Sequence, residues 1–222
     1  MHLGELTTVE VAKRTPLTLL IPLGSTEQHG PHLPLDTDTR IAEAVTARVA
    51  ELIAGAVVGP TISIGASGEH HGFAGTLSIG TDALATMLVE IVRTAGPEFA
   101  RVAVVNAHGG NAVAVSKARE ICRSEGRDLR TWTVNVPGAD PHAGHSETSL
   151  MLAIAPDVVR LDLAEPGVLS PMSEILGSLV EGGLIGVSDN GVLGDPTTAN
   201  SEDGHEILRK LVAGAIEAID QG

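Results

Sequence analysis

Four short apolar runs, set apart by stretches of helical periodicity, constrain this chain more than any other feature of its sequence. Leu17 to Leu23 (LTLLIPL), Val57 to Ile64, Val102 to Asn106 (VAVVN) and Leu129 to Val136 (LRTWTVNV) read as buried strands. Thr39 to Ile53, Asp82 to Ala95, Ala112 to Ser124 and Glu147 to Ile154 carry helical patterns, and Glu202 to Ile219 forms a closing helix. Strands alternating with helices of this length imply an α/β fold with a mainly parallel sheet covered on both faces. The chain has 222 residues and shows no linker, repeat or low-complexity tract, so a single domain spanning 1–222 is expected.

Composition removes several classes of function. Hydrophobic residues make up 43% and charged residues 19%, which excludes intrinsic disorder. No apolar run reaches the roughly 18 residues that span a bilayer, and the N-terminal MHLGELTTVEVAKR lacks a signal-peptide core. A cytoplasmic protein without a membrane partner is the expectation. Fourteen basic against 28 acidic residues give a net charge of −14, and two Phe, one Trp and no Tyr supply almost no stacking platform. Nucleic acid is therefore excluded as a partner. Cys122, the single cysteine, reads as a small buried hydrophobe in a helix.

The nine histidines are placed unevenly. In open α/β sheets, ligands bind beyond the carboxyl ends of the strands, and segments 24–38, 65–76, 106–111 and 137–147 follow the four strands in turn. All the histidines except His2 and His205 fall in those segments.

The densest segment is Gly24 to Asp38 (GSTEQHGPHLPLDTD). Glu27 and His29 share one side of an extended chain, and Gly30, Pro31 and Pro34 turn the backbone so that Asp38 returns to the same point. Carboxylate, imidazole and carboxylate suit Zn²⁺, Mn²⁺ or Fe²⁺; the structural alternative makes Asp36, Thr37 or Asp38 a helix N-cap. His108, in Asn106 to Asn111 (NAHGGN), points into the site at a strand end, where Gly109 and Gly110 permit close backbone approach and Asn111 could cap the next helix. His142, His145 and Glu147 open a helix that Ser146 or Thr148 could cap. Their chemistry also suits a further carboxylate ligand and a general acid/base. Glu69 to Thr76 (EHHGFAGT) reads as a wall or lid. The combination fits metal-assisted hydrolysis, with Asp38 bridging two ions about 3.5–4 Å apart; a single-ion site is the alternative.

In order, and across nearly the whole chain, these segments resemble the creatininase family. The resemblance is carried by Gly24-Ser25-Thr26-Glu27-Gln28-His29-Gly30-Pro31-His32-Leu33-Pro34 with Thr37-Asp38, by Asn106-Ala107-His108-Gly109-Gly110-Asn111, and by His142-Ala143-Gly144 to Glu147-Thr148-Ser149. Gly191-Val192-Leu193-Gly194-Asp195-Pro196 and the closing helix extend it. The resemblance implies a three-layer α/β/α sandwich and a binuclear-metal amidohydrolase that assembles as a homo-oligomer, often a hexamer. It implies that Glu27, Asp38 and His108 hold one divalent ion, and that His29, the shared Asp38 and a further carboxylate hold the other. Iron and zinc are the implied metals, with manganese an accepted substitute. His142 takes the place of the proton-shuttling histidine. Two departures matter. Gly110 stands where creatininase has a glutamate ligand, and Glu147 is its replacement, as ligand and as part of the catalytic group. Gly138 stands where creatininase has a substrate-covering tryptophan, which argues against creatinine as substrate. Compact length and the run LGSTEQHGPHLPLDTDTR look most similar to the mycofactocin-system branch, whose enzymes cut a modified precursor peptide near its C-terminus. Deformylases of formamidopyrimidines are the nearest competitor.

Overall fold

The computed structural model describes residues 1–220; Gln221 and Gly222, which the expected 1–222 domain includes, lie outside the described residues. Strands β1 (Leu17–Leu23), β2 (Ala56–Val58), β3 (Phe99–Asn106) and β4 (Leu129–Thr133) form one parallel sheet in the order β2-β1-β3-β4. Helices α1 (Thr8–Lys13), α2 (Thr37–Leu52), α3 (Thr81–Thr94), α4 (Ala112–Ser124), α5 (His145–Ile154), α6 (Met172–Gly182) and α7 (Ser201–Asp220) surround it.

Alternation along the strands divides the core in two. Leu17, Leu19, Ile21 and Leu23 of β1, with Val102 and Val104 of β3, pack against Leu84 and Leu88 of α3 and Ala114, Ala118 and Cys122 of α4. Leu20, Ala103 and Val105 face the other way, onto Ile41 and Val45 of α2, Leu150 and Met151 of α5, and Leu208 and Ala215 of α7. The α/β/α sandwich expected from the sequence is thus the one observed. No helix among the described residues is long and apolar enough to cross a membrane.

Two strands are shorter than their apolar runs. The second stops at Val58 because Pro60 has no N–H for the ladder; contact with β1 returns only as an isolated bridge from Leu23 to Ile62. The fourth stops at Thr133, opposite Asn106, where β3 itself ends. The sequence pattern also missed α1 and α6, surface helices with no fully buried residue.

After β1 the chain adds β2 on one side, then crosses to build β3 and β4 on the other. The loops leaving β1 and β3 therefore diverge at their carboxyl ends and open a crevice between them.

Candidate metal centre and catalytic pocket

Asn111 fastens the loops that line this crevice. Its side-chain carbonyl accepts the Ala66 N–H at 2.8 Å, and its amide donates to Gly24 O and Asn106 Oδ1, both at 3.0 Å. It stands at the N-cap position of α4 but makes no cap hydrogen bond, so the expected capping role gives way to tethering. Asp36 likewise stands at the N-cap position of α2 without capping it; its carboxylate pairs with Arg40 at 2.8 Å, while Thr37 Oγ1 donates to Pro34 O. That leaves Asp38, in the first helical turn, buried and facing inward. Ser25 Oγ donates to Asp38 Oδ2 at 2.7 Å, and Thr39 Oγ1 donates to Ser25 O at 2.8 Å. A Cβ at Gly24 would overlap the Thr39 backbone, so only glycine lets this loop meet the helix start.

The amino end of α5 is built differently from the expected Ser146 or Thr148 cap. One oxygen of Asp140 accepts the N–H of His145 at 2.7 Å and that of Asp195 at 3.0 Å. Ala143, buried and left-handed at φ 53°, turns its N–H onto Glu147 Oε2 at 2.5 Å. A non-glycine residue held in this conformation costs energy and marks a constrained segment.

These elements bring the sequence-selected residues together. One donor atom each from Glu27, Asp38 and His108 lies within 4.8 Å of the other two, and His29, Asp38 and Glu147 form a second such group. Asp38 belongs to both: Oδ1 lies 3.4 Å from His29 Nε2 and Oδ2 lies 3.2 Å from His108 Nδ1. Glu27, His29 and His142 form a third group. His70 Nε2 and His108 Nε2 each approach a Glu27 oxygen at 3.1 Å, yet without hydrogen-bond geometry. Both Glu27 oxygens and His29 Nε2 are buried with no hydrogen-bond partner. Such groups are costly to bury unsatisfied. An oxygen and nitrogen donor set without sulfur fits a borderline divalent cation.

The crowding of carboxylates and imidazoles splits their acidities. Burial and the neighbouring Asp38 charge raise Glu27 to about 7, against the pull of His108 and His29. Burial opposes a charge on His29, but Asp38, Glu147 and Glu27 outweigh it and raise His29 to about 9. Burial would raise Asp38 too, yet His29 and His108 hold it well below the usual carboxylate range. His142 moves the other way: burial, then His29 and His70, push it well below the usual imidazole range and keep it neutral. Neighbouring groups driven apart in this manner are characteristic of reactive sites.

A cavity of about 250 Å³ adjoins the cluster. Asp38, Glu69, His108, His142 and Glu147 line it together with the apolar side chains of Met172 and Leu179 of α6, Leu184 and Leu193. No lysine or arginine lines it among the described residues. The wall expected from Glu69 to Thr76 is present, but His70 goes further than a wall and reaches Glu27. His71 is exposed, and His145 turns away to Asp203 Oδ2 and Thr198 Oγ1, both at 3.0 Å. His32 sits behind the cluster, 2.8 Å from Thr148 Oγ1.

Gln28 is the residue that sequence reasoning missed. Its Nε2 lies 3.1 Å from His70 Nδ1 and 3.1 Å from His142 Nε2, and donates to Gly191 O at 3.0 Å. The alternation that puts Glu27 and His29 on one side puts Gln28 on the other. The signal that could have found it was Gly191, since a side chain there would collide with the Gln28 amide.

Comparisons with known proteins give the chain's family. The family model described as creatininase, creatinine amidohydrolase, matches residues 4–219. The mycofactocin precursor peptide peptidase of Mycolicibacterium smegmatis is 47% identical, covering 98% of this chain and 90% of that protein. Creatinine amidohydrolase of Pseudomonas putida is 30% identical over 99% of this chain and 96% of its own. A crystal structure of creatininase superposes with a TM-score of 0.78 at 28% identity, covering 99% of this chain and 96% of that one. Solved creatininase forms include a manganese form and a Zn–Zn type. Sequence, sheet and the order of the site segments converge, and the chain belongs to the creatininase family, hydrolases that act on carbon–nitrogen bonds.

Proposed function

We propose that this chain is a binuclear-metal peptidase that cleaves the modified mycofactocin precursor peptide near its C-terminus and releases the crosslinked Val–Tyr-derived unit. The observation that carries the reading is the pair of donor groups sharing Asp38 beside the cavity, in a chain 47% identical to mycofactocin precursor peptide peptidase. Glu27, Asp38 and His108 hold one divalent cation, and His29, Asp38 and Glu147 hold the other. The zinc and manganese forms of creatininase support Zn²⁺ or Mn²⁺, and Fe²⁺ suits the same nitrogen and oxygen donors. Such a pair supplies Lewis acidity at the scissile carbonyl and lowers the pKa of water.

The protein's own groups do the rest. His142 is neutral, and its Nε2 lies 3.0 Å from Gln28 O, which leaves Nδ1 to carry a proton between the attacking water and the leaving nitrogen. Glu147, 4.0 Å from that Nδ1, stabilises the imidazolium as it forms. The apolar lining of Met172, Leu179, Leu184 and Leu193 excludes water and seats an apolar portion of the peptide. With no lysine or arginine in the lining among the described residues, no ammonium or guanidinium stands there to clamp a free carboxylate.

We further propose a single metallohydrolase domain that works in the cytoplasm as a homo-oligomer of hexamer size or larger. Val9, Leu169, Leu176 and Val180, all exposed apolar side chains, support the assembly. The test of the activity is mass spectrometry of the metal-loaded protein with the modified precursor peptide. Release of the C-terminal unit, suppressed by a chelator, is the expected result. An intact peptide alongside turnover of a formamidopyrimidine or a cyclic amide would overturn the peptidase reading.

A further inference from the structure

Glu69 is the carboxylate at the cavity that neither Asp38-sharing group uses. It comes from the turn at Gly68–His70, its side chain is 34% exposed, and Oε1 lies 3.4 Å from His108 Nε2. That nitrogen faces oxygen acceptors only: the Ala66 carbonyl at 3.2 Å, Glu27 Oε2 at 3.1 Å and Glu69 itself. A ring nitrogen so surrounded must carry hydrogen, and the other nitrogen is then the lone-pair donor. Nδ1, that other nitrogen, lies 3.2 Å from Asp38 Oδ2, so in the neutral ring two lone pairs would face each other there. A proton or a cation must lie between them.

The place that Glu69 occupies is open because residue 110 is glycine. A Cβ at Gly110 would overlap both Glu69 Oε1 and His108 Nε2 and would come within 2.5 Å of Ala66 O. Gly110 is thus more than a missing side chain. Its bare backbone is the floor on which a carboxylate from a different loop rests, against the edge of His108.

We propose that Glu69 is a positioning residue that, with the Ala66 carbonyl, holds the proton on His108 Nε2 and so presents Nδ1 to the ion shared with Asp38. Partners of this kind fix a ligating imidazole's tautomer and orientation and raise its basicity, and their loss typically weakens metal binding about 10–100-fold. The inference rests on the two-ion reading, so its test must separate the two.

Ion-free wild type, Glu69→Gln and Glu69→Ala are titrated with Zn²⁺ in competition with a chromogenic chelator, and circular dichroism confirms the fold of each. The wild type takes up two ions. Glu69→Ala weakens one of them by about 10–100-fold, and Glu69→Gln, which keeps an acceptor oxygen, loses less. Nitrogen NMR of zinc-loaded wild type shows His108 protonated at Nε2. If wild type and both variants bind two zinc ions with equal affinity, and only KM rises in the variants, Glu69 meets the substrate and the proposal is overturned. If the wild type binds no zinc, the two-ion reading falls with it. The Gln variant keeps the question open to experiment should the Ala variant not fold.

Discussion

Asp38 is where the chemistry of the site concentrates, because its two oxygens address two different imidazoles, His29 and His108. His142 sits beside this pair, its ring centroid 4.5 Å from that of His29, and burial keeps it uncharged. Removing the imidazole should leave both cation groups that share Asp38 intact. His142→Ala is therefore expected to retain its metal while kcat falls about 10²–10⁴-fold, the usual worth of a general acid/base. Metal analysis beside steady-state kinetics checks this, and normal turnover would remove His142 from the mechanism. Glu27, His29, Asp38, His108 and Glu147 could be picked out in the sequence because each lies just past a strand end or at a helix start. Gln28 could not, and Glu69 could be read only as part of a wall or lid. Gln28 acts through a backbone turn that local alternation does not describe, and Glu69 enters through a space that only the packed Gly110 reveals.

The strands and principal helices were readable because their apolar spacing is imposed by a core on both faces of the sheet. What failed was boundary and surface. Pro60 truncates β2 inside an apolar run, and α6 is a surface helix in a glycine-rich stretch that buries no residue completely. The caps expected from Asp36, Asn111 and Ser146 are also absent: Asp36 pairs with Arg40 of its own helix, tertiary hydrogen bonds take Asn111, and no side chain caps α5. Asn111 shows the energetic consequence. Its side chain joins the loops after β1 and β3 to the segment at Ala66 through three buried hydrogen bonds. Asn111→Ala leaves the Ala66 N–H and Gly24 O unsatisfied, while Asn106 Oδ1 keeps the His108 N–H; each buried orphan costs about 1–3 kcal/mol, so a loss of about 2–6 kcal/mol is expected. Urea unfolding measures it; a change below about 0.5 kcal/mol would show that the loops hold their places without the tether.

For the molecule as a whole, the sheet order β2-β1-β3-β4 decides where a site can form. The reversal between β1 and β3 opens a crevice only at the carboxyl edge, and the buried carboxylates and imidazoles gather there. A group of this kind is expensive to bury unless cations offset it, and Asp38 joins the Glu27–Asp38–His108 donors to the His29–Asp38–Glu147 donors. Metal stoichiometry of wild type and Asp38→Ala, measured on the same preparations as peptide turnover, tests this most directly. Two ions per chain in the wild type, with both uptake and turnover lost in Asp38→Ala, is the expected outcome. Full metal content or undiminished cleavage in the variant would contradict a shared two-ion centre.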